Sequence, residues 1–337
     1  MFANNHMNET DTLSQSGAGS NNDPLHIAVL RTLAYYDTFD YPLKTAEAWR
    51  WLYPVAGSEL EPVAQADVDQ ALVSLVEVGK LGKQGAYVFL AGREKTVETR
   101  IERTLRSEKL WRRATSTARY LELVPFIRMV AVVNTLAIDN VRPESDIDFL
   151  IVTAPNHVWL TRMIVTGIVS MLGYRRHNDK IAGRICLSFY VTTDGLNFES
   201  LVSENPDTHF AMWTSQAVPL IDSGTYEKFQ AANGWVTKLL PNAWSWDWKA
   251  RLLRPNPNLL AIKNFYEIFF GTSVGHWVEA WIRSWQVSRM SKNTKSKASL
   301  GTTDVIISED VLKFHEMDKR KENNEKFQKR LITLGLS

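Results

Sequence analysis

The chain has 337 residues, of which 45% are hydrophobic and 23% are charged, with a formal net charge of +2 at pH 7. This length accommodates two or three domains, and the near balance of charge excludes a global basic field for nucleic acid. One cysteine, Cys186, excludes an internal disulfide framework and a multi-cysteine metal site. No stretch reaches the ~18 uninterrupted apolar residues of a membrane span, so we expect no span and a cytoplasmic location.

The N-terminal quarter of the chain predicts a tail followed by a small helical unit. Residues 1–24 are rich in Asn, Ser, Thr and Gly, which is typical of a disordered tail. Residues 25–92 predict three helices and then a glycine-punctuated pair of strands, which is the order of a winged-helix-like domain. Its third helix, near residues 67–77, carries three acids and no base before Lys80. DNA-facing helices are basic, so a protein-contact or packing role is favoured over DNA binding.

A long charged segment follows at residues 93–124, where Arg and Glu are interspersed. This pattern predicts a solvated linker helix. Some of its bases can alternatively face a polyanion, namely Arg103, Arg106, Arg112 and Arg113.

Residues 125–204 alternate between strand and helix patterns and predict a compact α/β unit. The expected strands and helix are Met129–Val133, Ile147–Thr153, Val158–Leu172 (the helix) and Ile185–Thr192. At the entry to the second strand stands Ser145-Asp146-Ile147-Asp148. Side chains two residues apart on a strand share one face, so Asp146 and Asp148 can hold one divalent cation through oxygen ligands.

A strand, a turn of small residues, a gap of about ten residues and then Ser-Asp-Ile-Asp on a second strand resembles the nucleotidyltransferase superfamily of DNA polymerase beta type. The resemblance covers about residues 125–200. It implies Mg²⁺, with Mn²⁺ as the alternative ion, bound by Asp146 and Asp148, and a nucleoside triphosphate as substrate. It further implies that the turn at Asn134 and Thr135 holds the triphosphate, while Ser145 sets the local turn or holds a water.

The chain departs from the family pattern at two places. Where the family has Gly-Ser at the turn, this sequence has Asn134-Thr135. The third carboxylate that the family usually carries on the next strand is also missing. There Ile185, Leu187, Phe189 and Val191 are expected on the apolar face, while Cys186, Ser188 and Tyr190 are expected on the other. Asp194 and Glu199 lie beyond that strand and can substitute only if the chain folds back.

The remainder of the chain predicts a C-terminal helical region. Residues 205–290 are expected to be helical and aromatic, residues 291–303 to form a flexible linker, and residues 304–337 to form a closing helix. The cluster Ala243-Trp244-Ser245-Trp246-Asp247-Trp248 is interpreted as packing aromatics, with a base-stacking or membrane-surface face as the alternative. The whole chain is therefore expected to be α+β, with a winged-helix-like unit, a nucleotidyltransferase-like core with a small mixed sheet, and this helical region.

Three functions follow as hypotheses. The first is a Mg²⁺-dependent enzyme that moves a nucleoside monophosphate from a triphosphate to the hydroxyl of an unknown protein, nucleic acid or small molecule. The second is a catalytically silent fold that binds nucleotide or a partner, which the changes at Asn134-Thr135 and the missing acid favour. The third is a nucleic-acid binder that works through the winged helix.

Overall fold

The computed structural model describes residues 23–54, 61–177, 180–203, 206–291, 305–314 and 320–336. These residues form a mixed α/β structure with a small sheet of three strands and a larger mixed sheet of six. The predicted tail at residues 1–24 lies almost wholly outside the described residues.

The N-terminal unit has the element order that the sequence predicts, with one additional short strand. Its strands pair antiparallel in the order β1-β3-β2. Its elements are α1 (Pro24–Asp37), β1 (Leu43–Lys44), α2 (Thr45–Arg50), α3 (Gln65–Glu77), β2 (Leu81–Gln84) and β3 (Tyr87–Leu90). Asp23 begins α1 by accepting a hydrogen bond from the Leu25 backbone N–H at 2.9 Å, as an N-cap aspartate does.

The predicted linker helix is α4 (Lys95–Leu121), and it is less solvated than its charge suggests. Arg103 is buried and donates to the backbone oxygen of Phe39 and to Asn140 Oδ1, at 2.8 and 2.9 Å. Arg113 donates to the backbone oxygen of Gly183. Two of the four arginines that were candidates for a polyanion therefore hold the fold together.

The larger sheet has the strand order β7-β4-β5-β6-β9-β8. Only β5 and β6 run parallel, and α6 (Val158–Met171) makes the crossover between them. The strands are β4 (Ile127–Val133), β5 (Ile147–Thr153), β6 (Ile185–Thr192), β7 (Val218–Asp222), β8 (Val305–Ile307) and β9 (Val311–Phe314). A four-residue helix, α5 (Asn134–Ala137), follows β4 directly.

Each face of this sheet is covered by a separate apolar cluster. One face packs against the N-terminal unit and C-terminal helices through residues such as Met129, Leu150 and Phe189. The opposite face packs against α4 and α6 through residues such as Val130 and Phe149. Alternate side chains along β5 therefore point to opposite faces of the sheet. Asp146 and Asp148 point to the same face as Leu150, because even numbers of residues separate them from it.

The C-terminal half contains strands where only helices were predicted. Strand β7 interrupts the region expected to be helical, and β8 and β9 precede the closing helix. The helices are α7 (Thr208–Ser215), α8 (Tyr226–Ala232), α9 (Pro257–Phe270), α10 (Ser273–Ser291) and α11 (Arg320–Leu334). Strands β7 and β9 pair with β4 and β6, which lie far earlier in the chain, and β8 pairs with β9. The predicted linker at residues 291–303 lies outside the described residues, apart from Ser291.

The Trp-rich segment at residues 243–248 packs inward. Trp248 lies 4.8 Å from Tyr226, measured between ring centroids, and the Arg50 guanidinium lies 3.9 Å from the Trp246 ring. All three tryptophans of the segment are partly buried against the core. These contacts favour packing aromatics over a base-stacking face.

Within the described part of the chain, no helix combines the length and the apolarity that crossing a bilayer requires.

Candidate metal centre

Two aspartates and the cysteine meet at one end of the parallel strand pair. Asp148 on β5 lies opposite Cys186 on β6 in the parallel register, and Asp146 precedes β5 on the same face. Ligand atoms of Asp146, Asp148 and Cys186 all lie within 4.8 Å of one another. Side-chain alternation explains why both carboxylates face one way, and the parallel register explains why the thiol faces them.

Asn134 connects this cluster to the turn after β4. Its Nδ2 donates to Asp148 Oδ2 at 2.8 Å, and its Oδ1 accepts from Trp213 Nε1 at 2.6 Å. Its φ is 61°, in the left-handed region that asparagine tolerates better than most residues. The Asn134 side chain thus belongs to the hydrogen-bonded cluster.

Arg176 provides a positive charge beside the carboxylates. Its guanidinium donates to Asp146 Oδ2 at 2.7 Å and lies 3.8 Å from Cys186 Sγ. Arg175 instead lines a groove of about 560 Å³ between α6 and α10, which Asp146 and Asp148 do not line.

Burial dominates the electrostatics of the cluster. Burial, then the neighbouring Asp148 carboxylate, raises the pKa of Asp146 to about 6, although Arg176 opposes the rise. Burial likewise raises the pKa of Asp148, against hydrogen bonds from Asn134 and Cys186. The pKa of the Cys186 thiol is also raised well above its usual range, by burial first and then by the two aspartates. Burial thus disfavours the charged form of each group, and a bound cation offsets that cost.

The other predicted site residues lie near the cluster in different roles. Ser145 sets the local turn, because its Oγ accepts the Arg142 backbone N–H at 2.9 Å. Its carbonyl accepts the Gly183 N–H at 2.7 Å, which ties the loop to the segment before β6. Thr135 is exposed at the start of α5, and its carbonyl accepts the Asn140 N–H at 2.8 Å.

Asp194 and Glu199 do not substitute for the missing carboxylate. The strands β5 and β6 run parallel, and Asp194 follows the end where Thr192 pairs with Thr153. At about 3.3 Å per residue, the length of β6 separates Asp194 from the end that carries Asp148. Cys186 occupies the place on β6 that faces the aspartates.

The expected alternation along β6 is wrong beyond Ser188. Between Asp148/Cys186 and Leu150/Phe189 the register shifts, because β6 has one more residue than β5 over this interval. Ile185 and Tyr190 consequently contact one apolar cluster, whereas Phe189 and Val191 contact the other. Such a bulge reverses the facing of every later residue, and no local signal in the sequence marks it.

Three contributors to the site were missed from the sequence. Cys186 was not predicted as a site residue, although its expected place on the non-apolar side of β6 was a usable signal. Arg176 and Trp213 reach the cluster from outside the core strands, across sequence separations of 30 and 79 residues from Asp146 and Asn134. Only the tertiary structure shows those contacts.

The donor set fits a carboxylate-held cation. Asp146 and Asp148 supply the oxygen ligands that Mg²⁺ and Mn²⁺ prefer, whereas a thiolate suits softer ions such as Zn²⁺. The two carboxylates are therefore the candidate ligands for a hard cation, and the Cys186 thiol is a candidate ligand only for a softer one.

A scan against protein-family models, a search of curated proteins and a search of solved structures each found no match for this chain.

Proposed function

We propose that this chain is a metal-dependent nucleotidyltransferase, with Asp146 and Asp148 as ligands of Mg²⁺ or Mn²⁺. The observation that carries the proposal is the cluster itself: two carboxylates share one face at the start of β5, beside a turn that follows the preceding strand. Val133, the last residue of β4, pairs with Asp148, so the Asn134-Thr135 turn adjoins the carboxylates. This is the arrangement that the resemblance to the polymerase beta-type family implies.

In the proposed reaction, an acceptor hydroxyl oxygen forms a bond to the α-phosphorus of a nucleoside triphosphate. The bond from that phosphorus to the β-phosphate oxygen breaks, and pyrophosphate leaves while the hydroxyl proton passes to solvent. A bound Mg²⁺ or Mn²⁺ supplies the charge that neutralises the phosphates. Asp146 and Asp148 hold that ion, and the exposed Thr135 hydroxyl is placed to contact a phosphate oxygen.

A second candidate is a catalytically silent module that binds nucleotide or a partner. The specific observation in its favour is that both aspartates already have partners in the chain. Asn134 donates to Asp148, and Arg176 pairs with Asp146. A cation must displace or rearrange these contacts, and β6 offers a thiol where the family has a carboxylate.

We further propose that the N-terminal unit is a winged helix with a packing role. Its apolar residues belong to the same cluster as one face of the large sheet. Tyr41 Oη donates to the Ile138 backbone oxygen at 2.5 Å, in the loop that follows the Asn134-Thr135 turn. Asp67 and Glu77 are exposed on α3, which argues against a phosphate-facing helix and hence against the nucleic-acid function.

The decisive experiment measures binding and transfer separately. Isothermal titration calorimetry with Mg²⁺ or Mn²⁺ and each nucleoside triphosphate tests binding, and α-labelled triphosphates with a cell extract test transfer to an acceptor. We expect Asp146→Asn/Asp148→Asn to weaken metal-dependent binding by roughly 100-fold or more, because two charged ligands are lost.

Asp194→Asn is the matched control, since it removes an exposed aspartate at the far end of β6. Unchanged metal-dependent binding in the double variant would remove both nucleotide-binding proposals. Binding without any labelled acceptor would leave the silent module as the function.

A further inference from the structure

The helices α9 and α10 form a hairpin, and the charged side chains between residues 257 and 282 point into the protein. Lys263 is buried, and its Nζ donates to the Ile127 backbone oxygen at 2.6 Å. Glu267 Oε1 accepts from the Phe126 backbone N–H at 2.7 Å and from Arg128 at 2.8 Å. The inner face of α9 is therefore held to β4 by polar contacts.

The inner face of α10 is polar in the same way. Glu279 is buried, and its two oxygens accept the backbone N–H groups of Trp159 and Leu160, both at 2.8 Å. These N–H groups belong to the first turn of α6, where a carboxylate also complements the helix dipole. Gln286 is buried about two turns later and donates to the Trp159 backbone oxygen at 2.9 Å.

The outer face of the hairpin is apolar and aromatic. Trp277, Trp281 and Trp285 recur every four residues along α10 and are 69%, 59% and 47% exposed. On α9 and at the start of α10 the exposed apolar residues are Leu260, Ile262, Phe265, Tyr266, Ile268, Phe269 and Val274. Scattered surface hydrophobics are ordinary, but a continuous face of this kind marks an interaction surface.

The middle of this hairpin has no exposed charged residue, and most exposed charged residues at its borders are basic. Between residues 255 and 282 no exposed Asp, Glu, Lys or Arg occurs, because Lys263, Glu267 and Glu279 all lie on the inner face. The exposed charged residues bordering this interval, within residues 247–290, are one acid, Asp247, and five bases: Lys249, Arg251, Arg254, Arg283 and Arg289.

Two of these border residues have acidic partners, since Lys249 lies 3.7 Å from Glu227 and Arg283 lies 3.4 Å from Glu309. The guanidinium groups of Arg251 and Arg289 lie over Trp111 and Trp285. Net positive charge thus remains at the border of the aromatic face.

We propose that this hairpin, residues 257–291, docks the protein on the surface of an anionic lipid bilayer. Tryptophan, tyrosine and phenylalanine are the residues that settle at the boundary between headgroups and acyl chains, and bordering bases attract anionic headgroups. A second copy fits less well, because a two-fold contact would bring the basic border against itself. The helices lie in the bilayer surface and do not cross it, in keeping with their lengths of 14 and 19 residues.

The test uses the full chain and flotation with vesicles of equal parts phosphatidylglycerol and phosphatidylcholine. We expect the protein to float with these vesicles and to bind pure phosphatidylcholine vesicles at least several-fold more weakly. Trp277→Ser/Trp281→Ser should lower the partition coefficient by roughly tenfold or more, since two anchoring rings are removed.

Ile332→Ser is the matched control, because Ile332 is 67% exposed on α11 and lies outside the hairpin. Far-ultraviolet circular dichroism verifies that all variants are folded. Vesicles with brominated acyl chains should quench tryptophan fluorescence in the parent chain, and less in the double tryptophan variant.

Failure of the protein to float with either vesicle would overturn the proposal. So would equal partitioning of the double tryptophan variant and the parent chain. Sedimentation equilibrium covers the competing occupant: a dimer that the tryptophan substitutions convert to a monomer, without vesicle binding, would assign the face to a second copy. The outcome is independent of the proposed transfer activity.

Discussion

Charged residues have different roles in the carboxylate cluster and in the aromatic hairpin. At the cluster, Asp146 and Asp148 stand at the end of a strand, and Arg176 and Asn134 satisfy them from nearby. In the hairpin, Lys263 and Glu279 are turned into the protein and the aromatic rings are turned outward. The presence of a charged residue therefore does not identify its function. A charged group can be available to bind a ligand, or it can stabilise the fold through contacts within the chain.

The largest expected effect tests whether the buried carboxylate of Glu279 stabilises the fold. Glu279→Ala leaves two backbone N–H groups of α6 without their partner in a buried place. We expect a loss of about 3 kcal/mol in the free energy of unfolding, which is typical for removing a buried charged acceptor. Urea denaturation followed by circular dichroism measures it.

Trp277→Ser, two residues away on the outer face, is the comparison and should change the unfolding free energy by less than about 0.5 kcal/mol. If the tryptophan change were the costlier of the two, the inner and outer faces of the hairpin would be assigned the wrong way round.

The next effect tests whether Arg176 holds the fold or serves a ligand. Arg176→Gln removes a cation that competes with a metal for Asp146, so Mg²⁺ or Mn²⁺ alone should bind roughly tenfold more tightly. If Arg176 also contacts the triphosphate, nucleotide binding should weaken in the same variant. Calorimetric titrations with the metal alone and with metal plus nucleotide separate the two roles.

Arg175→Gln serves as the control for that experiment, because Arg175 is exposed and lines a different groove. Unaltered metal affinity in Arg176→Gln would mean that the pair with Asp146 does not oppose a cation.

A smaller effect is expected at the turn that carries Asn134. Asn134→Ala loses two hydrogen bonds and puts at a φ of 61° a residue that tolerates left-handed backbone less well than asparagine, so we expect a loss of about 1–2 kcal/mol in unfolding free energy. Asn134→Gly loses the same bonds but relieves the backbone, and it leaves room for phosphates. Glycine should therefore be the more stable of the two variants and the better nucleotide binder, measured by denaturation and calorimetry.

The smallest expected effect is the pH dependence of stability that comes from His157, which lies beside the hairpin. His157 stacks on Phe126 at 3.6 Å, and burial, followed by His276 and Arg128, lowers its pKa to about 4. The unfolded chain takes up this proton near pH 6.5, while the folded chain stays neutral. The stability from His157 is thus fully present above pH 6.5 and is lost as the pH falls from 6.5 toward 4.

Thermal unfolding at several pH values measures this loss as the difference between the parent chain and His157→Gln. The two curves should converge as the pH falls over that range. Parallel curves would show that the pKa of His157 is not lowered in the folded state.

The local residue pattern was sufficient to predict the core strands and the shared face of the two aspartates. The predicted bounds of β5 and β6 agree with the structure, and period-two alternation correctly placed Asp146 and Asp148 on one face. It failed after Ser188, because the bulge on β6 depends on its partner strand. It also failed to find β8 and β9, a short strand pair of three and four residues that adds to the sheet through the pairing of β9 with β6.

The hairpin shows a different limit of sequence reasoning. Periodicity separates the polar side of α10 from its apolar side, but it does not say which side meets the protein. The usual assumption buries the apolar side, and here Glu279 and Gln286 are buried while Trp277 and Trp281 are exposed. Only the positions of β4 and α6 reveal that orientation.

The position of the hairpin in the chain has a mechanical consequence. The hairpin lies between β7 and β9, which belong to the same sheet but are separated by three intervening strands. Four strand spacings amount to about 19 Å, so the segment from Asp222 to Val311 must bridge that width. The hairpin is also held to β4 by Lys263, so a force applied to the hairpin reaches the strand that pairs with β5 and its Asp148.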